Sequence, residues 1–194
     1  MKVLPCTEET LDAAAALLNR GGVVVIPTDT VYGLAAHPAF PAAVERLYTI
    51  KGREAKKPIA LLASDVASVV RFLGTDLASS AAELAARGWP GALTLVLPKS
   101  GTEEFEGVRI PDHAWTRRLL AKCGGVLRVT SANLSGQRPA TDAPQALADV
   151  GLDADLVVDD GVSPGGVPSA VIKVLPTGET QILRPGPWRH TELK

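Results

Sequence analysis

The sequence predicts an α/β fold, a mixed sheet flanked by helices. Short apolar, strand-like runs alternate with helical stripes along most of the chain, as in layered α/β architectures. Val23–Ile26 is wholly apolar, as expected of a strand with both faces buried. The last two runs, 170–175 and 180–183, flank Pro176-Thr177-Gly178 and read as an antiparallel hairpin, so the sheet is mixed rather than purely parallel.

Each element has a local cause. Thr7 is placed as an N-cap, with Glu8 and Glu9 favourably set against the helix dipole. Leu11, Ala14, Ala15, Leu17 and Leu18 form a helical stripe that Gly21-Gly22 stops. After strand 23–26, a helix is expected over 42–50, with Val44, Leu47 and Tyr48 on one face. Strand 59–63 leads to Ser64, read as the N-cap of helix 65–72. An Ala-rich helix over 77–87 ends at Gly88. Strands 93–97 and 107–110 precede helix 115–122, which Gly124-Gly125 closes, and strand 126–130 follows. A short helix after Thr141 and strand 156–159 complete the order before the hairpin. The segment 161–166, Gly-Val-Ser-Pro-Gly-Gly, reads as a loop over a site. With 194 residues and no repeat, heptad array or long linker, the expectation is one domain over 1–194.

Composition narrows the function classes. Apolar residues make up 46% of the chain and aromatics only 4%, so the core is aliphatic and the chain is not a charge-dominated disordered one. A net charge of −1 argues against a surface that binds nucleic acid all over, while allowing a local basic patch. Cys6 and Cys123 are far apart, match no metal-ligand spacing, and read as reduced thiols. The N-terminus lacks a sustained apolar region and no run approaches the length of a membrane span, so the expected location is cytoplasmic.

Several short segments hold hydrogen-bonding or cationic side chains next to strand ends. Pro27-Thr28-Asp29-Thr30-Val31-Tyr32-Gly33 follows the buried strand directly, where α/β sheets bind ligands; an ordinary hydroxyl turn reads equally well. Lys51, Arg53, Lys56 and Lys57 surround a helix end, either as favourable charge on the dipole or as a phosphate site. Thr130-Ser131-Ala132-Asn133, with Ser135-Gly136, could nest an anion. Arg109 and Arg184 each stand at a strand end, either exposed or clamping a carboxylate or phosphate. Asp159-Asp160-Gly161 is read as a turn in preference to a cation site. Neither a P-loop nor a G-x-G-x-x-G fingerprint occurs. His37, His113 and His190 are isolated and read as surface or capping residues, which disfavours a Ser-His-Asp hydrolase.

In this order, the segments resemble the TsaC/YrdC family, the threonylcarbamoyl-AMP synthases, over a core of about 11–186 with a short C-terminal tail. The resemblance implies a YrdC-like twisted mixed sheet with a large basic cavity. It implies a nucleotidyltransferase that joins L-threonine, bicarbonate or CO2 and ATP, releasing pyrophosphate. Mg2+ would accompany ATP, and the product would pass to a tRNA threonylcarbamoyl-transferase complex, with tRNA contact possible. By motif, Thr30, Arg109, Val129 and Ser169 would meet L-threonine. Lys51, Arg53, Lys57, Ser131, Asn133 and Arg184 would meet ATP, with Lys51 and Arg53 as electrostatic catalysts and no general acid or base. Leu62, Phe105, Pro139 and Ala170 depart from the family pattern, as do Glu54 and Lys57, and the chain matches the short branch of the family. Two alternatives compete: a non-catalytic RNA-binding module, and a carbamoyl-adenylate-forming enzyme that uses carbamoyl phosphate.

Overall fold

The structure, a computed structural model, describes residues 2–52, 54 and 58–188. The strands are β1 (Lys2–Pro5), β2 (Val23–Ile26), β3 (Gly33–Ala36), β4 (Leu61–Ala63), β5 (Leu93–Pro98), β6 (Phe105–Arg109), β7 (Val126–Ser131), β8 (Leu156–Asp159), β9 (Ala170–Val174) and β10 (Thr180–Arg184). The helices are α1 (Glu8–Leu18), α2 (Pro41–Lys51), α3 (Val66–Leu73), α4 (Ser79–Gly88), α5 (Ala114–Lys122) and α6 (Ala143–Asp149). The strands join one twisted sheet in the order β1-β8-β2-β3-β7-β4-β6-β5-β9-β10. Four pairs are parallel (β1 with β8, β2 with β8, β4 with β6, β5 with β9) and the others antiparallel, so the sheet is mixed.

Local chemistry starts the helices. Thr7, Asp65, His113 and Asp142 each cap a helix by accepting a hydrogen bond from a main-chain N–H of the first turn. Asp65, not Ser64, caps α3. Its carboxylate accepts from Ser68 N at 2.7 Å while the Ser64 hydroxyl donates to it, and the N–H of Ser68 lowers its pKa first among the causes. Pro41 opens α2 and Gly52, at φ 57°, ends it in the left-handed conformation.

Two strands lay outside the expectation. β1 pairs with β8, and β3 pairs with β2 and β7. Gly33-Leu34-Ala35-Ala36 carries no β-branched residue, so burial against neighbours, not propensity, makes it a strand. The loop Pro27 to Tyr32 is therefore the connection of a β2–β3 hairpin, with Ile26 opposite Gly33.

Three apolar clusters divide the layers. α1 and α5 cover one face of the β8-β2-β3-β7-β4 half. Residues of α2 and α6 pack beneath the opposite face of β2, β3 and β8. α3 and α4 pack on that same opposite face where it continues into β4, β6, β5 and β9. On the first face, helix cover stops at α5, and beyond it Thr94, Val96, Gly107 and Val171 face a cavity. No helix among the described residues is long and apolar enough to cross a membrane. Both cysteines are free thiols.

Candidate functional site

The cavity is about 370 Å³. It draws on the β2–β3 loop, the ends of β6 and β7, the approach to β4, and the start of β9. The register explains the convergence: Gly33 lies opposite Ser131, Leu62 opposite Arg109, and Thr94 opposite Val171. Segments far apart in sequence thus meet at one gap in the helix cover.

Two hydrogen-bonded groups of side chains stand at this cavity, Arg109 with Thr30 and Asp29, and Ser169 with Thr94 and Arg184. Arg109 is 6% exposed, and its guanidinium donates to Gly91 O at 2.8 Å, to Thr30 Oγ1 at 2.8 Å and to Asp29 Oδ1 at 2.5 Å. A guanidinium has five N–H donors. Hydrogen bonds to the described residues use three of them. Burial pulls the Arg109 pKa below its ordinary value, Asp29 opposes this, and the nearby Arg184 cation adds to the lowering. Arg184 donates from Nε and Nη2 to Ser169 O, at 3.1 and 2.9 Å, and lies 3.4 Å from Ser169 Oγ. Ser169 Oγ also sits 2.8 Å from Thr94 Oγ1. Two arginines and three hydroxyls therefore line the one cavity.

The hydroxyl-turn and ligand readings of the hairpin loop divide between its two threonines. Thr28 Oγ1 donates to Val31 O at 2.7 Å and accepts from the N–H groups of Thr30 and Val31, which is a local turn. Thr30 instead presents its hydroxyl to Arg109 and the cavity. Two glycines permit the close approaches around these groups. A Cβ on Gly165 would lie 2.6 Å from Asp29 O, the carbonyl that accepts from Gly165 N. A Cβ on Gly186 would lie 2.2 Å from Ala170 N, so the segment after Arg184 passes flat against Ser169-Ala170.

The loop 161–166 is tied down rather than free-standing. Tyr32 Oη donates to Gly161 O at 2.7 Å and accepts from Asp160 N at 2.9 Å, while Ser163 N donates to Thr141 O. His113, the α5 cap, lies 2.9 Å from Asp160 Oδ2. Asp159 Oδ1 accepts from Gly161 N at 2.9 Å, the turn expected there.

The phosphate-type residues are less uniformly placed. Ser131 and Val129 line the cavity. Lys51 and Asn133 do not; both are buried beside it. Lys51, 2% exposed, donates from Nζ to the main-chain carbonyls of Ser131 and Asn133 and thereby shapes the end of β7. Asn133 Nδ2 donates to Leu134 O and Gln137 O. Arg53 and Lys57, like Lys56, lie outside the described residues. Arg184 lines the cavity and holds the Ser169 carbonyl. Of the departures, Leu62 and Phe105 line the cavity and Pro139 does not.

Sequence reasoning missed Asp29 as the counter-charge of Arg109. It also missed the pair in which Arg128 Nη1 and Nη2 donate to Glu106 at 2.5 and 3.1 Å. Charged residues at interior strand positions were the available signal. Among the described residues, no three His, Cys, Asp or Glu side chains are grouped to hold a metal.

A family model named Sua5/YciO/YrdC and described as telomere recombination matches residues 16–186. The chain belongs to the Sua5/YciO/YrdC family. A mouse protein named threonylcarbamoyl-AMP synthase is 37% identical over 194 residues, covering 92% of this chain and 67% of its own. A protein of the same name from Alkalilimnicola ehrlichii is 38% identical over 161 residues, covering 79% of this chain and 82% of its own. The crystal structure of Pyrococcus abyssi Sua5 complexed with L-threonine superposes with a TM-score of 0.89 at 31% identity. That match covers 96% of this chain and 58% of the P. abyssi chain, so this chain spans little more than half of it.

Proposed function

We propose that this Sua5/YciO/YrdC chain condenses L-threonine, bicarbonate or CO2 and ATP into L-threonylcarbamoyladenylate, releasing pyrophosphate. The observation that carries the reading is a single cavity lined by Thr30, Arg109 and Ser169 together with Ser131, in which Arg109 donates to Thr30. The relatives named as synthases, and the P. abyssi relative bound to L-threonine, support it.

In this reading Arg109 offers its guanidinium to the threonine carboxylate. Thr30 and Ser169 supply hydroxyls, and Val129 supplies a main-chain contact. Ser131, Asn133, Lys51, Arg53, Lys57 and Arg184 serve the nucleotide, with Lys51 acting through the carbonyls it holds. The threonine amine takes up CO2 and loses a proton to become a carbamate. A carbamate oxygen then bonds to the α-phosphorus as the bond to the leaving pyrophosphate breaks. Holding two anions together and stabilising developing charge is the main task, so no general base need be assigned.

Mg2+ fits this site only as an ion carried by the ATP phosphates. The nearest carboxylates, Asp29 and Glu106, are each held by an arginine. The product would pass to a tRNA-modifying transferase in the cytoplasm. An RNA-binding module is not favoured, because the relatives are named as synthases and the P. abyssi relative holds L-threonine. The test is pyrophosphate release by purified protein with ATP and Mg2+. It should require both L-threonine and bicarbonate, and release that ignores threonine would end the reading.

A further inference from the structure

One wall of the cavity pairs an aromatic ring with a cation. Phe105 begins β6, and its ring lines the cavity. The Lys173 ammonium, on β9, lies 3.8 Å from the ring centroid. Val96 of β5 stands between them, opposite Gly107 on one side and Lys173 on the other, so the lysine reaches across it. Lys173 is not itself a lining residue. Its ammonium lies over one face of the ring, while Phe105 itself lines the void.

Residues two apart on a strand share a face, so Phe105, Gly107 and Arg109 line the cavity in a row. Gly107 contributes no side chain between the other two. At a rise of about 3.4 Å per residue, Phe105 and Arg109 are roughly 14 Å apart along β6. That spacing suits an extended acyl-nucleotide with its carboxylate at the guanidinium and its base at the ring.

We propose that Phe105 is the platform on which the base of the bound nucleotide stacks, with Lys173 as the residue that positions the ring. This rests on the nucleotide reading of the cavity and adds a base subsite to it. A phenyl face grips a base by flat contact without reading its edge. An ammonium over one face restrains the ring and draws electron density from the other, improving its match to an electron-rich purine.

Calorimetric titration of the full chain with ATP, inorganic tripolyphosphate and L-threonine as separate probes tests this. Wild-type protein should bind ATP more tightly than tripolyphosphate. Phe105→Leu should weaken ATP about tenfold or more and leave the other two probes within about twofold. Lys173→Met should weaken ATP in the same selective way, by less. Phe105→Trp should retain ATP affinity, with fluorescence from the introduced indole quenched by ATP and not by tripolyphosphate. Unchanged ATP affinity in Phe105→Leu, or equal losses for ATP and tripolyphosphate, would overturn the platform. Failure of wild-type protein to bind either phosphate compound would overturn it together with the nucleotide reading. If base-selective ATP binding appears but threonine-dependent pyrophosphate does not, the platform stands and the synthase reading falls.

Discussion

Arg109 and Asp29, 80 residues apart in the chain, form a 2.5 Å ion pair with side chains only 7% and 12% exposed. Two desolvated charges this close largely neutralise each other. The guanidinium is held in one orientation before any ligand arrives.

Removing one partner should expose that dependence. Asp29→Asn leaves a buried cation without its counter-charge and should lower stability by about 3 kcal/mol in urea unfolding. Arg109→Ala should weaken L-threonine binding at least about tenfold, because the carboxylate loses a charge-assisted partner. An unaltered threonine titration in that variant would remove Arg109 from the site.

Lys51→Met tests a structural role for a residue first read as a phosphate ligand. The methionine fills similar volume but leaves the Ser131 and Asn133 carbonyls without their donor. A loss of about 2 kcal/mol in unfolding free energy is expected, with or without ATP present. An unchanged urea midpoint would show that the ammonium serves ligand alone.

Tyr32→Phe removes the hydroxyl that joins Gly161 O and Asp160 N. The expected cost is about 1 kcal/mol. Hydrogen exchange should quicken at Asp160 and Gly161, with little change in β9 and β5. Equal exchange in both proteins would mean the tie does not hold the loop.

Alkaline pH should destabilise the fold from a predictable point. Burial pushes Cys123 up to about 11, and burial with Asp160 pushes Cys6 up to about 12, both from an ordinary 9.0. Burial likewise raises Tyr32 from 10.0 to about 12. For groups raised in the folded state, the stability they support is complete below the unfolded value and is lost as pH climbs through the folded one. Urea midpoints should therefore hold to about pH 9 and decline toward pH 12. Cys123→Ala should make the early part of that decline shallower, and an identical slope would exclude the buried thiol as a cause.

Much of the fold was legible from local pattern. Thr7 with two acids behind it, the stripe from Leu11 to Leu18, and Gly124-Gly125 after α5 state their conformations in adjacent residues. β3 was hidden because Gly33-Leu34-Ala35-Ala36 has weak strand character, and its conformation comes from lying between β2 and β7. β1 was hidden because four residues ending in Pro5 carry too little periodicity to read.

The sequence by itself determined the element types, the positions of hydroxyls and cations beside strand ends, and the family resemblance. Those depend on neighbours within a few residues or on ordered motifs. Only the tertiary structure decided that Arg109 pairs with Asp29 and Arg128 with Glu106, that Lys51 turns inward, and that Arg184 stands at Ser169. Strand order sets these contacts across separations of 15 to 82 residues. Burial then decides whether a charge must find its partner inside the protein or can keep water instead.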